Sequence, residues 1–239
     1  MYEAVHAYPD GKTTVARHAA TAARYGYDGL VVRTRSAFDP ATSEAETDLR
    51  ALRTEYDIDI VRAVEITADD PTSAAGAVGN HRPEATVLCL AGGTTKLNRF
   101  AVESPRLDVL TRPMQRSGDM NHVLAKAARE NNVAIEFDFG PLLRSTGGER
   151  VRALADLRKL REIVTYYDAP HVVSANPRSH LELRAPREVV TAAEAVGFDP
   201  TWVRDGLRGW DVIATRNRER RSEAFIEPGV RRGRYEEDR

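Results

Sequence analysis

A chain of 239 residues with 41% apolar side chains can bury a large core without disulfide or metal staples. Its formal net charge of -1 excludes the strongly basic balance usual for a nucleic-acid-binding domain, and no apolar run approaches the roughly 20 residues of a membrane helix. The opening MYEAVHAYPDG carries neither the basic start nor the long apolar stretch of a signal peptide, and the lone Cys89 allows no internal disulfide, so a cytoplasmic setting away from membranes is expected.

Short apolar runs alternate with amphipathic stretches almost to the end. Strands are expected at 2–7, 29–33, 58–66, 85–91, 107–111, 133–138 and 170–175, with helices at 13–25, 44–56, 72–80, 95–102, 119–131, 148–167 and 186–196. The first helix starts at a threonine cap, lines up Ala16, Ala19, Ala20 and Ala23, and meets Gly26 where a left-handed cap belongs. The sixth buries Ala153, Leu157, Leu160 and Val164 at helical spacing. Asp199 and Pro200 open a short helix, and 209–221 reads as a separate last one with an arginine-rich end. The alternation predicts an α/β fold with a parallel sheet and right-handed crossovers in a single domain over 1–221, and seven such units are compatible with a closed β/α barrel. An open doubly wound sheet is the alternative; the absence of GxGxxG after the first strand removes its dinucleotide-binding form. Residues 222–239 lack an apolar period and read as a disordered tail.

In a parallel barrel, chemistry collects where strands run into helices. That rule selects His6, Arg33, Arg35, Glu65, Gly92 to Lys96, Arg112, Asp138 and Ser174 to His180. AGGTTK (91–96) could cradle an anion on backbone N–H groups, or be a tight turn with a threonine cap; it lacks the Walker spacing. On the 119–131 helix, His122, Lys126 and Arg129 share a stripe opposite Met120, Val123, Leu124 and Ala127. Such a stripe is either a solvated face or a grip on a phosphate backbone. The second reading gains from the charge distribution: residues 1–70 carry thirteen acids against eight bases, whereas 96–129 carry seven bases against three acids. His6, His122, His171, His180, Glu65 and Asp138 are metal-ligand types, but HxH, HExxH and CxxC spacings are missing. No nucleophile triad or acid/base pair stands out, which leaves a sugar-isomerase-like barrel enzyme unsupported, and Cys89 lies in mid-strand.

Three stretches taken together carry a family likeness: DVLTRP (108–113), GDMNHVLAKAARENNVAIEFDF (118–139) and PHVVSANPRSHLELRAPREVV (170–190). The sequence resembles the ribonuclease P protein component 3 family, the thirty-kilodalton subunit shared by archaea and eukaryotes, over roughly residues 1–221. The resemblance implies a TIM-barrel-like fold related to the polymerase and histidinol phosphatase metal barrels, with the metal ligands degenerate. It implies an RNA-binding subunit of an endoribonuclease whose RNA removes the 5′ leader of precursor tRNA with its own Mg²⁺. On this view the protein has no catalytic residue, metal or other cofactor of its own. The implied partners are the ribonuclease P RNA, precursor tRNA, a small subunit of the Pop-five type and the other protein subunits. The RNA contacts it implies are Arg112, His122, Lys126 and Arg184, followed by Arg99, Arg116, Arg178 and His180. The alternative is a metal-dependent phosphoesterase of the related barrels.

Only four of the 35 basic residues are lysines (Lys12, Lys96, Lys126 and Lys159). A high-GC genome and a salt-adapted cell both account for that bias. In a salt-loaded cell, where the Debye length shrinks to about 3 Å near 1 M, binding is expected to lean on arginine hydrogen bonds and protein partners.

Overall fold

A computed structural model describes residues 1–35, 43–222, 225–227 and 230–231. Seven parallel strands follow one another in strict sequence order: β1 (Tyr2–His6), β2 (Gly29–Thr34), β3 (Asp59–Ile66), β4 (Val87–Ala91), β5 (Val109–Thr111), β6 (Ala134–Asp138) and β7 (His171–Ser174). Between them run α1 (Val15–Tyr25), α2 (Ser43–Tyr56), α3 (Pro71–His81), α4 (Thr95–Glu103), α5 (His122–Asn131), α6 (Gly140–Arg144) and α7 (Gly147–Tyr166). A 3₁₀ turn at His180–Glu182, α8 (Pro186–Glu194) and α9 (Pro200–Arg220) complete the described barrel. The sheet curls into a nearly closed TIM-like barrel, so the closed form of the expected α/β architecture is the one adopted.

The strand residues sort by parity, as the two-residue period requires. Ala4, Val31, Val61, Ala63, Val87, Cys89, Val109, Ala134 and Val172 pack inside the barrel. Val64, Leu88, Leu90, Ile135, Phe137 and Val173 join the layer under the helices. Cys89 is wholly buried, and burial pushes its thiol pKa well up, so it belongs to the core.

Seven strands leave a seam between β1 and β7, and a side chain stitches it. The Glu3 carboxylate accepts from Ser174 Oγ at 2.6 Å, from the Ala175 N–H at 3.1 Å and from Tyr27 Oη at 3.2 Å. The His6 N–H adds a backbone bond to Pro177 O at 3.0 Å. Across this seam lies α9, which sends Trp210, Ile213 and Ala214 into the interior cluster. Trp210 is fully buried and donates through Nε1 to Val173 O at 2.9 Å.

Several local expectations change. The two expected C-terminal helices are one continuous helix through Gly206 and Gly209. A Cβ on Gly206 would stand 2.5 Å from Val173 Cγ2, and one on Gly209 2.8 Å from His171 O. These glycines admit close contact with β7 and do not end a helix. Thr14 and Gly26 cap α1 as expected, but its buried stripe is His18, Ala19 and Ala22, because the strands lie on the side facing His18. In α5 the buried side chains are Leu124, Ala125 and Ala128, whereas Val123 is 51% exposed. Within the stretch expected to be a disordered tail, β8 (Phe225–Glu227) pairs antiparallel with β9 (Val230–Arg231); 223–224, 228–229 and 232–239 lie outside the described residues.

Candidate functional site

The C-terminal ends of the strands meet over one fully buried arginine. Arg33, near the C-terminal end of β2, donates to Glu136 Oε1 at 2.8 Å and to Asn176 Oδ1 at 2.7 Å, and lies 3.4 Å from Glu65 Oε1. Thr111 Oγ1 donates to Glu65 at 2.8 Å, Arg112 pairs with its other oxygen at 2.7 Å, and Asn176 Nδ2 reaches Asp138 at 2.8 Å. Below, the Arg33 guanidinium lies 5.7 Å from the Trp210 ring, so the network rests on the helix that crosses the seam.

Burial opposes charge on every member, and the partners decide which charges survive. For Arg33, Glu136 and Glu65 outweigh desolvation and hold its pKa above the usual range. Desolvation would raise Glu65, but Arg33, Arg112 and His6 together hold it low. Glu136 is pushed up to about 7 by burial, with Asp138 and Glu65 adding to it against Arg33. His6, at the end of β1, is pushed down to about 3 by burial and by Arg33, and is neutral at pH 7.

This arrangement does not suit a metal ion. A cation already fills the centre of the strand ends, the neighbouring carboxylates point at it, and no three His, Cys, Asp or Glu side chains are placed to share a metal among the described residues. Glu65, Asp138 and His6 do gather at the strand ends as the sequence suggested; Arg33 occupies the space between them.

The eight candidate contacts fall into three groups. Arg112 and Arg116 stand together on the loop after β5, both with left-handed backbones (φ 52° and 51°), and line a cleft of about 520 Å³ over β6, α6 and α7. Arg112 is mostly engaged with Glu65; Arg116 is exposed. Arg178, His180 and Arg184 form a second group on the loop after β7. There Arg178 donates to Asp10 O, Thr13 Oγ1 bonds His180 Nδ1 at 3.2 Å, and Arg184 donates to Leu183 O at 2.8 Å, so the loop clasps the β1–α1 loop. Arg99, His122 and Lys126 make a third group on the outer wall, on α4 and α5, with Arg99 paired to Glu103 at 2.8 Å. The AGGTTK loop is a capped turn: the Gly93 N–H donates to Asn98 Oδ1, and Thr94 caps α4 through the Leu97 N–H.

Two aromatic residues complete the outer group. Lys126 Nζ lies 5.5 Å over the Tyr167 ring, the His122 ring lies tilted at 6.3 Å from it, and Tyr166, 79% exposed, packs edge-on against Tyr167 at 4.8 Å. Cations interleaved with exposed aromatic faces suit unpaired bases on a phosphate backbone. The sequence held the pair as TYYD at the end of α7, forty residues on from Lys126, where only the fold brings them beside the stripe.

A family model described as RNase P subunit p30 matches residues 1–222. The chain belongs to that family. Ribonuclease P protein component 3 of Halorubrum lacusprofundi is 75% identical over 240 residues, covering 100% of both chains. That of Haloarcula marismortui is 54% identical, covering 97% of this chain and 96% of its own. A chain from a cryo-EM structure of archaeal Ribonuclease P with mature tRNA superposes with a TM-score of 0.83 at 21% identity, covering 100% of both. A putative histidinol phosphatase, hisK from Listeria monocytogenes, shares the fold, with a TM-score of 0.54 at 8% identity over 79% of this chain and 99% of that one. In this member of the p30 family the barrel centre is held by Arg33. No described helix is long and apolar enough to cross a membrane.

Proposed function

We infer that this chain is a protein subunit of a cytoplasmic ribonuclease P, where it binds the RNA and supports removal of the 5′ leader from precursor tRNA while the RNA, with its own Mg²⁺, does the cutting. The observation that carries the non-catalytic part is Arg33, which sits where a hydrolytic barrel needs its metal. Family membership over residues 1–222 supports the subunit role, with a Pop-five-type small subunit and the other ribonuclease P proteins as partners. The phosphoesterase reading has no donor set to support it among the described residues. RNA is gripped through the outer stripe of His122 and Lys126 with Arg99, through Arg112 and Arg116 at the strand ends, and through Arg178, His180 and Arg184 beside them. Arginine forks and bases stacked on Tyr166 carry the contact in place of a large net charge.

The test is reconstitution of the particle with and without this chain, assaying precursor tRNA cleavage at low Mg²⁺. Lys126→Gln, Arg116→Gln and Arg184→Gln are expected to raise the Mg²⁺ requirement with an unchanged melting temperature. Arg112→Gln should do so while also loosening Glu65. A particle equally active without the chain, or phosphate-ester hydrolysis by the isolated chain, overturns the reading.

A further inference from the structure

Where β5 and β6 end, the loop after β5 and the helices α6 and α7 enclose the cleft of about 520 Å³, a volume within the range of small-ligand sites. Its walls are tied down. The side chain of Asn98, wholly buried on α4, donates to Pro113 O at 2.7 Å and to Asp119 O at 3.0 Å, which pins the loop that carries Arg112 and Arg116. On the other side Asp138 accepts from the Gly140 N–H at 2.8 Å and Arg144 donates to Ala175 O at 2.8 Å, so α6 is held to β6 and to the end of β7. A cleft fixed before binding loses little freedom on taking up a ligand.

The lining divides by character. Pro113, Met114, Pro141 and Leu157 give apolar walls, Glu149 and Asp156 on α7 an acidic rim, and Arg112 and Arg116 a basic one. Arg112 is already engaged by Glu65 at 2.7 Å, whereas the exposed Arg116 enters no hydrogen bond or ion pair among the described residues. The most deeply buried polar residue of the lining is Glu136, 1% exposed. Arg33 satisfies its Oε1 at 2.8 Å, but Oε2 has no hydrogen-bond partner among the described residues. A buried carboxylate oxygen without a donor is costly, and burial already pushes this carboxyl up to about 7. The cleft therefore offers an acceptor at depth, apolar walls and a guanidinium at its mouth.

Chemistry narrows the occupant. A basic peptide is opposed by Arg116, and an acidic one by Glu149 and Asp156. A nucleotide suits every part: phosphate for the guanidinium fork, a flat ring for the apolar walls and amino hydrogens for a carboxylate. We propose that the cleft receives one unpaired nucleotide of the bound RNA, its phosphate on Arg116 and the exocyclic amino group of its adenine, cytosine or guanine donating to Glu136 Oε2; the proposal rests on the reading of the chain as an RNA-binding subunit. Uracil, which has no amino group, is refused.

The test probes the base edges of the ribonuclease P RNA bound to the full chain, with dimethyl sulfate for adenine and cytosine, kethoxal for guanine and a carbodiimide for uracil. Wild type is expected to protect an unpaired base of the amino-bearing kind. In Glu136→Gln the amide oxygen must face Arg33, which turns the amide N–H groups toward the place of Oε2. A donor then meets a donor, so that protection should be lost and affinity for the RNA fall about tenfold. The slope of log affinity against log salt should hold, because no phosphate contact is removed. Ala153→Trp, which fills the cleft from α7, should act likewise, and Ala153→Ser should not. Arg116→Gln, by contrast, should lower the slope by about 0.7–0.9. If Glu136→Gln and Ala153→Trp melt cooperatively and keep the wild-type footprint and affinity while Arg116→Gln weakens binding, this proposal falls and the subunit reading stands. Should Ala153→Trp fail to fold, Glu136→Gln decides alone. Wild type that protects only uracils, or no base at all, also overturns the proposal. If wild type binds the RNA no better than an unrelated acidic protein does, both fall.

Discussion

One guanidinium facing two carboxylates cannot neutralise both, and the barrel resolves this by letting them differ. Glu65 pairs directly with a second cation, Arg112, and stays ionised, whereas Glu136 pairs with Arg33, has Asp138 nearby, and is pushed up to about 7 by burial. A carboxyl whose pKa is raised by folding, here from 4.5, holds its proton more tightly in the folded chain. Its contribution to stability is therefore lost as pH rises from the unfolded value through the folded one. His6 and His18 act in the opposite sense. Burial pushes them down to about 3 and about 4, so they cost stability as pH falls below 6.5. The two effects separate by comparison with Glu136→Gln. Between about pH 5 and about pH 8 the wild type should lose on the order of 2–3 kcal/mol relative to that variant, read from paired urea melts. A wild-type-minus-variant difference that does not move with pH would rule out Glu136 as the titrating group. Removing the cation is more severe: Arg33→Met takes from Glu136 its paired cation and leaves Glu65 to Arg112, and should cost about 3–5 kcal/mol.

At the scale of elements, glycine carries two opposite meanings that sequence pattern cannot tell apart. Gly206 and Gly209 look like a break between two helices, yet they are the reason that one helix can lie against β7. Gly76 and Gly79 in α3 face open space, with nothing within 4 Å of the point a Cβ would occupy. The difference is measurable. Gly76→Ala should raise stability by roughly 0.5–1 kcal/mol through helix propensity and a stiffer unfolded chain. Gly206→Ala gains the same propensity but drives a methyl into Val173, and should lose about 1–3 kcal/mol net. Equal and positive changes in melting temperature at both positions would show that the close approach of α9 is not needed. The same ambiguity affected the amphipathic faces. An alanine stripe named α1 as a helix, but which side of an alanine-rich helix is buried depends on the strands beneath it, and His18 rather than Ala16 faces them.

For the whole molecule, what was legible was periodic and local. Each of the seven strands, and the helices between them apart from the short α6, announced itself by alternation and caps, because a strand buried on both faces must read as a short apolar run. The strand-end residues were legible for the same reason: position along the unit places His6, Arg33, Glu65 and Asp138 at one end. What stayed hidden depends on contacts between distant segments. A count of charge along the chain singles out 96–129, yet it cannot see Tyr166 arrive beside Lys126.

The closure of the barrel was equally hidden, since the barrel sheet has no eighth strand among the described residues and a helix takes over its work. Glu3 bridges β1 to β7 only by a buried carboxylate, itself raised in pKa by desolvation, so the seam cannot hold on that contact alone. Trp210 fills the interior from α9, bonds the β7 backbone and lies under Arg33. Arg216 and Asn217 carry the same helix on to Asp108 at the foot of β5, at 2.9 and 2.7 Å. Closure and the buried ion network thus share one element. A chain ending at Phe198 should keep much of its helical circular dichroism while losing near-ultraviolet signal and cooperative melting, because the strands remain but their interior opens to water. Trp210→Ala, which keeps the helix and removes only the plug, should cost about 3–5 kcal/mol and leave melting cooperative. Cooperative melting of the shortened chain at the full-length temperature would mean that the seven strands close without α9.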